Sequence, residues 1–102
     1  MIIVATRIET TPGMVNEALK WAEKIWNILE KVGGLGSKSW ILRGESAQLN
    51  RFTFAIQFAS MAEYEEAMKK ANAVPEYQAL IPELSKWGAK IERTFSQVVK
   101  ES

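Results

Sequence analysis

The side chains with chemistry to offer in this sequence are four arginines (Arg7, Arg43, Arg51, Arg93), two tyrosines (Tyr64, Tyr77) and four tryptophans (Trp21, Trp26, Trp40, Trp87). The chain has no histidine and no cysteine. The commonest general base and transition-metal ligand are therefore missing. Ser-His-Asp and Cys-His catalysis, thiolate-bound zinc and iron–sulfur clusters are excluded with them. What remains is a chemistry of orientation and hydrogen-bond donation. A guanidinium fork matches a carboxylate or an enolate. Tyr, Asn, Trp or Arg donors can stabilise an anion formed on the ligand itself.

Each of these residues also has a purely structural reading. An arginine in a strand can pair with Glu9, Glu45 or Glu92, in the sheet or across a dimer. Tryptophans carry large apolar area and fill cores or interfaces. Tyr64 suits a core position with its hydroxyl satisfied, and Asn50 suits a turn. The acidic run Glu63, Glu65, Glu66 sits where a helix would begin, favours the helix dipole and calls for no metal.

The elements that must position these groups are set by periodicity. Residues 2–10 are rich in β-branched side chains and apolar on both faces at first, which predicts a central strand. Thr11 and Pro12 open a helix over 13–32. Its apolar face holds Val15, Ala18, Leu19, Ala22, Ile25, Trp26, Leu29 and Val32, with Trp21 at its flank. Gly33-Gly34 stops it. Gly33-Gly34-Leu35-Gly36 comes after a helix and before a strand, the reverse of a dinucleotide-binding loop, so it reads as a helix stop. Residues 37–45 form a second strand, with Ser39, Ile41 and Arg43 on one face and Trp40 and Leu42 on the other. After a polar turn, residues 50–59 alternate strictly, Phe52, Phe54, Ile56 and Phe58 against Arg51, Thr53, Ala55 and Gln57. These two strands should form an antiparallel hairpin.

Ser60 with Glu63 three residues later is a capping box for a helix over 61–73, with Tyr64, Ala67, Met68 and Ala71 on one face. Pro75 and Pro82 break the next stretch into short helical turns that Gly88 ends. Residues 89–99 form the last strand, with Ile91, Arg93, Phe95 and Gln97 on one face.

At 102 residues, 47% hydrophobic and 25% charged, the chain has the composition of a single soluble domain over 1–102 with one core. Thirteen basic residues against twelve acidic ones leave a net charge of +1 and no basic stripe, so no nucleic-acid partner is expected. No apolar run approaches the ~20 residues of a membrane span. The apolar start is too short for a signal peptide, and the absence of cysteine suits a cytoplasmic location.

The order β-α-β-β-α-β is the ferredoxin-like arrangement, a four-stranded antiparallel sheet with two helices on one face. The other face, with Thr53, Ala55 and Gln57, carries too little charge to be freely solvated, and a second copy of the chain is its expected cover.

With this order of elements, the sequence resembles the dimeric α+β barrel superfamily, which includes antibiotic-biosynthesis-type monooxygenases and NIPSNAP-like proteins. Three stretches carry the resemblance. Residues 4–13, VATRIETTPG, look like a first strand ending in Pro-Gly. Residues 54–64, FAIQFASMAEY, look like a third strand running into helix two. The stretch from Pro75-Glu76-Tyr77 to Trp87 looks like a broken second helical region. The resemblance implies a homodimer whose sheets pack into a barrel, with a cavity between sheet and helices in each subunit. Members use that cavity for cofactor-independent oxygenation of polyketide-like aromatics, haem degradation, isomerisation or dehydration, and some have no known reaction. Haem-using members rely on a histidine that this chain lacks.

Taken together, these readings predict a small, largely apolar ligand, aromatic polyketide-like or fatty-acyl. Its cavity would be lined by Trp26, Trp40, Phe54, Phe58, Tyr64 and Trp87, with Arg7 and Arg43 as anion-binding candidates. No cofactor and no metal are called for, and any catalysis would resemble cofactor-independent monooxygenation. The alternative is a structural or regulatory homodimer with no open cavity.

Overall fold

The computed structural model describes residues 1–44, 50–87 and 90–102. Its elements are β1 (Ile2–Glu9), α1 (Val15–Lys31), β2 (Lys38–Arg43), β3 (Arg51–Phe58), α2 (Met61–Asn72), α3 (Pro75–Leu80), a 3-10 helix (Ile81–Trp87) and β4 (Lys90–Gln97). The four strands form one sheet in the order β2-β3-β1-β4, and every neighbouring pair is antiparallel. This is the β-α-β-β-α-β ferredoxin-like arrangement, with β1 and β3 central as their apolar content requires. Among the described residues, no helix is long and apolar enough to cross a membrane.

The register assigns the faces. Paired residues in an antiparallel sheet project to the same side. The row Thr6, Phe54, Ile41, Arg93 therefore shares one face with the row Val4, Ile56, Ser39, Phe95. The row Ala5, Ala55, Trp40, Thr94 projects the other way. The core lies between the first of these faces and the helices. Phe52, Phe58 and Ile8 are its most completely buried large side chains. At about 25 cal/mol per Å² of apolar area, each such side chain contributes about 1.5–3 kcal/mol.

The helix boundaries reflect local chemistry. Ser60 Oγ accepts from the Glu63 backbone N–H at 3.2 Å, and the Glu63 carboxylate accepts from the Ala59 N–H at 2.9 Å. The capping box thus reaches back one residue beyond Ser60 itself. Helix α1 ends where Gly33 takes φ +73° and the Gly34 N–H bonds the Leu29 carbonyl at 2.7 Å, a left-handed stop.

Its start differs from expectation. Thr11 does not cap α1, which begins at Val15 with no side-chain cap. Thr11 instead gives its N–H and its hydroxyl to the Trp87 carbonyl, at 3.0 and 3.1 Å. A partner distant in sequence has taken the hydroxyl that a local cap would have used.

Helix α1 is also rotated from the expected stripe. Trp21, Ile25, Ile28 and Leu29 are buried, while Trp26 and Val32 are only half-buried. Of the predicted polar turn from Gly44 to Asn50, residues 45–49 lie outside the described residues, as do the predicted stop at Gly88 and the candidate ion-pair partner Glu45. Asn50, at the turn's end, accepts from the Thr10 N–H and hydroxyl through its carbonyl, which is a turn residue's role.

Candidate functional site

Between the sheet and the helices lies a cavity of about 170 Å³. Strand alternation builds its floor: Val4 and Thr6 from β1 and Phe54, Ile56 and Phe58 from β3 all face it. Helix α1 forms a wall with Trp21 and Ile25, one turn apart on the same face. The broken helical segment closes the top with Tyr77, Ile81 and Leu84. Edge strand β4 adds Ile91 and Arg93. Ile81 and Ile91 line the cavity yet are 39% and 51% exposed, so its mouth lies between them.

The closing segment is tied down at both ends. The Trp21 indole N–H donates to the Leu80 carbonyl at 2.7 Å. The Trp21 and Trp87 rings meet edge-on with centroids 5.9 Å apart, and the Trp87 carbonyl takes both Thr11 bonds. Residues 81–86 are therefore held from either side.

The polar chemistry is concentrated at one point. Arg93 Nε donates to Thr6 Oγ1 at 3.0 Å, and Arg93 Nη1 donates to the Tyr64 hydroxyl at 3.3 Å. Tyr64 is itself held edge-on between Phe58 and Phe95, with centroids 5.6 and 5.3 Å away. Tyr77, buried and lining the same cavity, has its hydroxyl pKa raised by that burial. The Arg93 charge pulls it the other way, and the nearby Tyr64 adds to the rise. Tyr77 is thus a protonated hydroxyl at neutral pH, able to donate. The ion pairs among the described residues are Arg51–Glu9 at 3.4 Å and Lys86–Glu83 at 3.3 Å, and neither involves Arg93.

The structure brings some of the sequence-predicted residues together and separates others. Phe54 and Phe58 line the cavity, Tyr64 anchors Arg93 at its edge, and Trp87 stands behind Trp21. Tyr64 and Trp87 thus stand next to the lining and not in it, and the placement of the other four is corrected as well. Trp26 points off the cavity flank of α1, into an open surface depression shared with Glu23, Asn27 and Ile41. Trp40 is on the far face of the sheet and 39% exposed. Arg7 shares that far face with Thr53 and Glu92, and lines a shallow charged depression with Glu9, Arg51 and Lys90. Arg43 lies exposed at the end of edge strand β2.

Among the aromatic and charged side chains that line the cavity, Trp21, Tyr77 and Arg93 are absent from the expected lining. Trp21 shares one helical stripe with Ile25, Ile28 and Leu29, and Trp26 shares an adjoining one, so helical period alone leaves the choice between them open. Nothing local distinguishes Arg93 from the other arginines.

No protein-family model matches the chain, and no curated protein matches it. Solved structures do. An uncharacterized NIPSNAP domain protein from Burkholderia xenovorans is 18% identical, with a TM-score of 0.77 over 97% of this chain and 95% of that one. A dimeric ferredoxin-like protein from an uncultured marine organism is 18% identical, with a TM-score of 0.78 over 100% and 98%. An antibiotic biosynthesis monooxygenase-like protein from Nitrosomonas europaea is 8% identical, with a TM-score of 0.75 over 98% and 100%. The class this defines is one of fold: a ferredoxin-like α+β chain of the kind found in NIPSNAP proteins and dimeric ferredoxin-like proteins. The resemblance read in the sequence is to these same groups.

Proposed function

We propose that the chain binds a small, largely apolar ligand between its sheet and helices, and does so as a homodimer. The observation that carries this reading is the cavity of about 170 Å³, apolar except at its Arg93, Thr6 and Tyr77 positions. An apolar cavity of about 150 Å³ holds a benzene-sized molecule, whereas drug-sized ligands need about 300 Å³ or more. The enclosed volume therefore takes one aromatic ring with a short substituent. A polycyclic or fatty-acyl ligand would fill it with one end and leave past Ile81 and Ile91.

Two features support the homodimer. The sheet face away from the helices exposes Trp40 and Leu42, at 39% and 50%. The same face carries more charge than its Thr53, Ala55 and Gln57 suggested, but of both signs, Arg7, Glu9, Arg51, Lys90 and Glu92, which suits a self-complementary two-fold interface. A structural neighbour is described as dimeric.

Any catalysis here would be cofactor-independent monooxygenation, in line with the similarity to a monooxygenase-like protein. The ligand would supply the electrons. The para C–H and the C–OH of a phenolic ring both become C=O in a four-electron oxidation to a quinone; one atom of O2 enters the ring and the other leaves as water. The protein's part is to orient the ring against Trp21 and Phe54 and to stabilise its anion with Arg93 and Tyr77.

Native mass spectrometry of the purified protein, repeated after denaturation, tests the reading. It expects a mass near twice 11.5 kDa and an adduct lost on unfolding. A dimer that binds no single-ring ligand on titration would favour a structural homodimer instead, and a monomer would remove the dimer from the proposal.

A further inference from the structure

We infer that Arg93 is an anion clamp for this cavity, so that the ligand it selects is a single aromatic ring carrying a negatively charged oxygen. This rests on the ligand-cavity reading above and narrows it to a chemical class.

Charge is costly in such a cavity. An ion moved from water into an apolar site is expelled unless a counter-charge and hydrogen bonds meet it there. The cavity walls are otherwise hydrocarbon, indole and hydroxyl. Arg93, exposed on edge strand β4 at the cavity's border, is the cation in its lining, and no carboxylate pairs with it among the described residues.

The group is also held in place. Thr6 Oγ1 occupies Nε and the Tyr64 hydroxyl occupies one hydrogen of Nη1. Both anchors are themselves fixed, Thr6 by its place in the central strand and Tyr64 by Phe58 and Phe95. The second Nη1 hydrogen and both on Nη2 have no partner among the described residues. A fork oriented by neutral acceptors, with its outer hydrogens free, is preorganised for an incoming anionic oxygen. Tyr77 lines the same cavity and supplies a second, neutral donor.

The remaining arginines do not compete. Arg51 is paired with Glu9, Arg7 is on the opposite face, and Arg43 is at the far edge of the sheet.

The test uses two probes of the same shape, para-toluate and para-nitrotoluene, one anionic and one neutral, titrated calorimetrically into the full chain. A hydrogen bond to a charged group corresponds to about a ten- to hundredfold preference, so para-toluate should bind tighter by at least about tenfold. Arg93→Gln should abolish that preference while para-nitrotoluene binds as before. Arg93→Lys, which keeps the charge and loses the fork, should retain part of it and guards against a folding defect in the first variant. A second anion, para-nitrophenolate, separates a carboxylate ligand from a phenolate ligand by which binds tighter. Equal affinity for para-toluate and para-nitrotoluene would overturn the clamp and leave the cavity reading standing. A preference that survives Arg93→Gln would overturn the assignment to Arg93. Binding of none of the probes would overturn both the clamp and the ligand-cavity reading.

Discussion

The indole N–H of Trp21 donates to the carbonyl of Leu80 at 2.7 Å, across 59 residues of sequence. This bond ties α1 to the end of α3, at the point where the chain turns into the 3-10 helix that closes the cavity. The bond is buried, so it satisfies an indole N–H that would otherwise have no partner in the core. The same ring forms the cavity wall, so one side chain both supports the closing segment and touches whatever the cavity holds.

Trp21→Phe should therefore destabilise the protein while largely preserving its aromatic volume. Removing the indole N–H from this buried bond to the Leu80 carbonyl costs about 1–3 kcal/mol. A urea titration that shows no shift in midpoint would mean that this bond does not secure the closing segment. Trp21→Ala should cost more, about 3–5 kcal/mol, because a cavity is added to the lost bond.

Gly36 and Gly33 separate strain from steric blockage. Both have positive φ, +61° and +73°. A Cβ at Gly36 would be driven into the Gln57 carbonyl oxygen, which already accepts from the Ser37 N–H and hydroxyl, whereas at Gly33 it meets open space. Gly33→Ala should cost about 1 kcal/mol, the penalty of the left-handed region alone. Gly36→Ala should cost clearly more, above about 2 kcal/mol, since the β2–β3 hairpin must shift. Equal losses in thermal unfolding would refute the close approach.

Tyr77 carries a pH signature. Burial raises its pKa above the ordinary value near 10, so folding favours the protonated hydroxyl. The stability this gives is fully present below about pH 10 and is lost as the pH rises through the raised value. Tyr77→Phe should show a shallower loss of stability above about pH 10 than the unaltered chain, with no change in slope near neutrality. Parallel curves for the two proteins across the alkaline range would count against a buried, protonated Tyr77.

Tyr64→Phe keeps the ring contacts to Phe58 and Phe95 and removes only the acceptor of Arg93 Nη1. Stability should change by less than about 1 kcal/mol, because the bond is exposed to solvent. The preference for para-toluate over para-nitrotoluene should fall severalfold as the guanidinium loses one of its two anchors. An unchanged preference would show that Thr6 alone orients it.

Trp40→Glu combined with Leu42→Glu tests the proposed dimer without touching the cavity. Both side chains are on the sheet face away from the helices and are 39% and 50% exposed. Like charges brought face to face across a two-fold axis should leave a folded chain of 11.5 kDa in native mass spectrometry. Retention of a dimer would place the interface elsewhere.

The architecture was legible in the sequence because its signals are local. Strict alternation from Phe52 to Phe58 made β3 and its inward face readable within one short strand. Ser60 with Glu63 marked the start of α2, and Gly33-Gly34 the end of α1. The absence of histidine and cysteine disposed of whole classes of chemistry by composition alone.

The membership of the cavity was not legible in the same way. On a helix one residue is about 100° of rotation, so the choice between Trp21 and Trp26 depends on how α1 rolls onto the sheet. On a strand one residue is a change of face. The β1–β4 register alone puts Arg93 beside Thr6 in the cavity and Arg7 opposite Glu92 on the far side. The sequence by itself determined the order, the number and the polarity of the elements, since these depend on short-range period and capping. Which arginine and which tryptophan meet a ligand was decided only by long-range pairing, a relation between residues as far apart as Thr6 and Arg93 that no local window contains.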